Sequence, residues 1–70
     1  MYAKLLRKAA HTRRFTIHQH AESAGWQVVD ERDSVVVKYA LYHDWHRVER
    51  AKQAFAIEAV MLAESGWVEA

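Results

Sequence analysis

The sequence predicts a small α+β domain: a three-stranded antiparallel meander near residues 13 to 42, packed on one face by a long helix over 44–65, with a short basic N-terminal arm. Three observations predict it. Valines and aromatics cluster on both sides of Asp33-Ser34, which is the pattern of a hairpin. From Trp45 to Ser65 no residue breaks a helix. With no proline and two glycines in 70 residues, Gly25 and Gly66 each mark the end of an element.

Residues 1–12 read as the basic arm and 13–70 as one domain. In the arm, Tyr2, Leu5, Leu6 and Ala9 follow helical spacing while Lys4, Arg7 and Lys8 turn away, so a short amphipathic helix is expected there. The first strand is placed at Arg14–His20, where Phe15, Ile17 and Gln19 alternate onto one side. The rival is a helix from Ala3 to Ala24 closed by Gly25, which would give an α-β-β-α order. Its stripe of Leu6, Ala10, Arg13, Ile17, Ala21 and Ala24 contains a charge and leaves Phe15 off, so the strand is preferred.

The hairpin joins Trp26–Arg32 to Val35–Tyr42 through Asp33-Ser34. Alternation puts Val35, Val37, Tyr39 and Leu41 on one face of its second strand. Asp44 is the expected N-cap of the helix and Gly66 the residue just past its end. Val48, Ala51, Phe55, Ala59 and Leu62 form one apolar stripe, and Ala54, Ile57 and Met61 form a second beside it. Trp67, immediately after Gly66, is expected to fold back onto the last turn.

Composition narrows the function. The chain has no cysteine, which excludes a disulfide scaffold, a thiol nucleophile and an iron–sulfur cluster. It has no apolar run of membrane-spanning length and no secretory leader pattern, so a cytoplasmic protein without a membrane partner is expected. The hydroxyls of Ser23, Ser34, Ser65, Thr12 and Thr16 lie in no nucleophile-elbow context, and there is no Gly-rich phosphate loop. Asp30, Glu31 and Asp33 surround a turn, where carboxylates are solvated. The pairs His18/His20 and His43/His46 each fall short of a three-ligand metal centre. No enzyme, no catalytic or metal residue and no cofactor is expected.

Net charge is +1, unevenly spread. Residues 1–14 carry Lys4, Arg7, Lys8, Arg13 and Arg14 with no acid, while the rest carry five bases against nine acids. A domain this small hides only about 60% of its unfolded surface, and a helix with two apolar stripes needs a second cover. The expected function is therefore non-enzymatic protein binding, beginning with self-association, with Phe55, Ile57, Met61 and Leu62 as the interface. The alternative is a nucleic-acid-binding regulator that uses Lys4, Arg7, Lys8, Arg13 and Arg14 together with Arg47 and Arg50 on the helix.

Overall fold

The computed structural model describes residues 1–20, 22 and 24–70; Ser23, and Ala21 of the rival helical stripe, lie outside the described residues. The elements are β1 (Tyr2–Lys8), β2 (His11–Gln19), β3 (Trp26–Arg32), β4 (Val35–Tyr42), α1 (Trp45–Glu64) and β5 (Val68–Glu69). They form one antiparallel sheet in the order β4-β3-β2-β1-β5 with α1 on one face. The α+β class therefore holds, but the sheet has five strands where three were expected.

The two additional strands both lie beyond β2, on one side of the expected meander. Tyr2–Lys8 is neither a helix nor an arm outside the domain: it pairs with β2 along its whole length, from Tyr2 opposite Ile17 to Lys8 opposite His11. Helical spacing and strand alternation overlap in so short a segment, and pairing with β2 decides between them. Its reward is the burial of Leu6, which is 3% exposed. The hairpin closes through Ala9 and Ala10, with Ala9 at φ 53°, so it lacks the glycine or asparagine that would have announced it. After the helix, Val68 and Glu69 pair with Arg7 and Leu6, and the Ala70 N–H donates to the Leu5 carbonyl at 2.9 Å.

The β3–β4 hairpin has the expected bounds. Asp33 (φ 52°) and Ser34 (φ 67°) both take left-handed backbone, the geometry of a two-residue turn whose twist matches the strands. One irregularity interrupts the expected alternation. Asp30 pairs with Lys38 and Glu31 with Val36, so Val37 is the extra residue of a bulge and Val35 leaves the face that carries Tyr39 and Leu41.

Register places Tyr2, Ile17, Val28 and Ala40 in one row under the helix and Phe15 in the next. Phe15 is fully buried and Ile17 is 2% exposed. The helix adds Val48, Phe55 and Ala59, with Ala51 and Leu62 half-buried at the margin. The Phe55 ring stacks on Phe15 at 4.8 Å between centroids and on Tyr2 at 6.1 Å. Truncating a ring at the centre of so small a core costs about 3–5 kcal/mol.

Both helix ends are built by local chemistry. The Asp44 carboxylate accepts from the His46 N–H at 2.9 Å. At the other end the Gly66 N–H donates to the Ala63 carbonyl and the Trp67 N–H to the Leu62 carbonyl, with Gly66 at φ 97°. That is a Schellman closure. It returns Trp67, half-buried, onto the core. Trp45 meets Trp26 of β3 edge-on at 5.1 Å, whereas the far end meets β1 through Lys8 Nζ, which donates to the Ser65 carbonyl at 2.7 Å. The helix thus crosses the sheet diagonally, from β3 toward β1.

Candidate binding surface

The meander order makes β4 an edge strand, eight residues long, with a neighbour on one side only. Its outward N–H and C=O groups lack a strand partner. Its side chains add apolar surface: Val35 is 63% exposed, Val36, Val37 and Tyr39 52% each, and Leu41 38%. The sheet face away from the helix is otherwise mostly polar, with Thr12, Arg14, Thr16, Gln27 and Glu31 sharing it with buried Val29. The opposite edge is different in kind. Strand β5 has two residues, and Glu69 there pairs with Lys4 at 3.5 Å.

Of the four helix residues expected at an interface, Phe55 is in the core of the chain itself and Leu62 is half-buried against it. Ile57 and Met61 are 61% and 60% exposed. Residues 47, 50, 54, 57 and 61 recur at helical spacing, so Ile57 and Met61 continue the stripe begun by Arg47, Arg50 and Ala54. Its first three members, Arg47, Arg50 and Ala54, face β4.

Between this stripe and β4 lies a groove of about 460 Å³. Its floor is apolar, made by Val28, Ala51 and Phe55, and its rim carries Lys38, Tyr42, Arg47 and Arg50. Among the described residues, none of the three rim cations forms an ion pair with a carboxylate. Lys38 is left unpaired although Asp30 stands opposite it, because Asp30 binds Arg13 instead. The first helical turn carries no acid, so only the Asp44 cap offsets Arg47 at the positive end of the helix dipole.

The basic residues proposed from sequence do not converge on one surface. Arg13 is 7% exposed, its guanidinium held by Asp30 at 3.3 Å and Glu58 at 3.4 Å and lying over the Phe15 ring at 5.0 Å. It is a buried ion pair. Lys4 pairs with Glu69, Lys8 caps the helix end and Arg14 pairs with Glu31 at 3.8 Å. Arg7 is exposed on β1, three strands from the β4 groove where Arg47 and Arg50 lie. Sequence reasoning missed Lys38 and Tyr42 as members of the Arg47/Arg50 group. Their signal is their place on the last strand of a meander, which must be an edge beside the helix that follows it.

No family model, curated protein or solved structure matches this chain.

The remaining candidates are local. His18 lies on β2, and His11 contacts Asp33 at 3.3 Å. Asp33 also accepts from the Thr12 N–H at 2.9 Å. That backbone hydrogen bond first, then the His11 side chain, lowers the Asp33 pKa below its ordinary value. The arrangement ties the β3–β4 turn to the start of β2. Among the described residues, no three histidine or acidic side chains gather as a metal-ligand group, and no helix is long and apolar enough to cross a membrane.

Proposed function

We propose that this chain is a non-enzymatic protein-binding module whose first partner is a second copy of itself, joined through β4. The observation that carries the reading is the β4 edge: an eight-residue strand, paired on one side, with five exposed apolar side chains. Antiparallel pairing of β4 with its twofold mate gives partners to free backbone groups of the Tyr39–Tyr42 end in both copies and continues the sheet there. A twofold axis perpendicular to the sheet puts both helices on the same face. Ile57 and Met61 lie toward the β1 end of the diagonal helix, where Glu58 meets Arg13 of β2, and stand outside this junction. The opposite edge, the two-residue β5 and the outer side of Tyr2–Leu5 of β1, carries the charges of Lys4 and Glu69, which oppose strand addition, so pairing through β4 closes at two chains. The bulge at Val37 and the charge of Lys38 limit extended pairing, so the segment Tyr39–Tyr42 carries the contact.

Light scattering on the intact chain at hundreds of micromolar tests this. The expected result is twice the chain mass, reduced to the chain mass by Tyr39→Lys with Leu41→Lys while circular dichroism is unchanged. A monomer at that concentration, or a dimer indifferent to both β4 substitutions, overturns the reading.

A further inference from the structure

We propose that the groove between α1 and β4 is a binding site for a small amphipathic dianion, a phosphate monoester carried on a flat apolar body. The site is complete within one chain and does not depend on the β4 dimer.

The rim supplies the charge. Arg47 and Arg50, three apart on the helix, present two planar guanidinium forks, and Lys38 adds a point charge from the facing strand. Among the described residues no carboxylate pairs with any of them, and the acid best placed to do so, Asp30, is engaged by buried Arg13. Three cations of like sign around one groove repel one another, and Arg47 also sits against the helix dipole. A bound anion relieves both effects. A monoester suits them better than a carboxylate, because it brings close to two negative charges and three terminal oxygens to three donors.

The floor supplies the second half of the specificity. Val28, Ala51, Ala54 and Phe55 line the groove with no competing polar group, and the Tyr42 side chain closes one side. The volume of about 460 Å³ falls within the range of small-molecule sites and exceeds what a bare inorganic ion fills. An apolar body on the floor with its phosphate at the rim uses both.

The test is a titration of the intact, isotope-labelled chain with phenyl phosphate, read as amide chemical shifts, with inorganic phosphate, phenol and a thymidine decanucleotide as parallel arms. Saturable shifts at Lys38, Tyr42, Arg47 and Arg50 are expected. Phenyl phosphate should bind at least about tenfold more tightly than inorganic phosphate or phenol, since each lacks one half of the recognition. Arg47→Gln and Arg50→Gln should each weaken binding about tenfold, and Arg7→Gln, on the far side of the sheet, should leave it unchanged. Helical circular dichroism confirms that each variant is folded. The proposal is overturned by shifts spread over all basic residues, by equal affinity for inorganic phosphate, by tighter binding of the decanucleotide through the same residues, or by no saturation below about 10 mM.

Discussion

Asp30 stands directly opposite Lys38 on neighbouring strands, yet its carboxylate turns inward and takes Arg13 at 3.3 Å. The choice follows from burial. The Arg13 side chain is 8% exposed and that of Asp30 14%, so an unpaired Arg13 charge costs far more than an unpaired Lys38 at the rim.

Removing either partner of that pair should be costly. Asp30→Asn leaves Arg13 with Glu58 alone and should lower unfolding stability by about 3 kcal/mol in denaturant titration. Replacing the pair together, Arg13→Met with Asp30→Leu, should recover most of the loss, because the desolvation of both charges disappears with them. A double variant no more stable than the worse single one would show that the ion pair itself holds β2 to β3.

The β3–β4 turn should improve with glycine. Ser34 has φ 67°, a conformation in which a Cβ is strained. Ser34→Gly should stabilise by roughly 0.5–1 kcal/mol and raise Tm by several degrees, whereas Ser34→Val should lower it.

At the helix end the cost lies in conformation rather than space. A Cβ on Gly66 meets only the Lys8 side chain, at 3.7 Å, but the φ of 97° is unfavourable for any L residue. Gly66→Ala should cost about 1 kcal/mol and lower Tm by several degrees. Trp67 fluorescence should be blue-shifted in the native protein and move toward that of free indole in the variant as the closure loosens.

Acid should weaken the turn through Asp33. Its folded pKa lies below the unfolded value, so the stabilisation is fully present above the unfolded pKa and is lost as pH falls through the folded one. The window is below about pH 4. Asp33→Asn should flatten the part of the acid-stability curve that this carboxylate contributes, measured by urea unfolding from pH 6 to pH 2. An unchanged curve would assign the acid loss to other carboxylates.

What the sequence by itself determined is the part of the fold governed by neighbours in the chain. The β3–β4 hairpin was legible in valine and aromatic enrichment around the polar pair Asp33-Ser34. The helix was legible in Asp44, an unbroken run and Gly66. Each signal acts over a few residues, so it can be read without knowing the rest. Tertiary structure decided what depends on distant partners. The seven residues of β1 fit a helix or a strand equally until β2 is beside them, and β5 is too short to carry a pattern at all. Arg13 reads as one more cation in a basic stretch until the fold brings in Asp30, 17 residues away, and Glu58, 45 residues away. Lys38 joins Arg47 and Arg50 because the diagonal helix lies beside β4. Charge and hydropathy name the groups available for such pairings, and long-range geometry selects which of them meet.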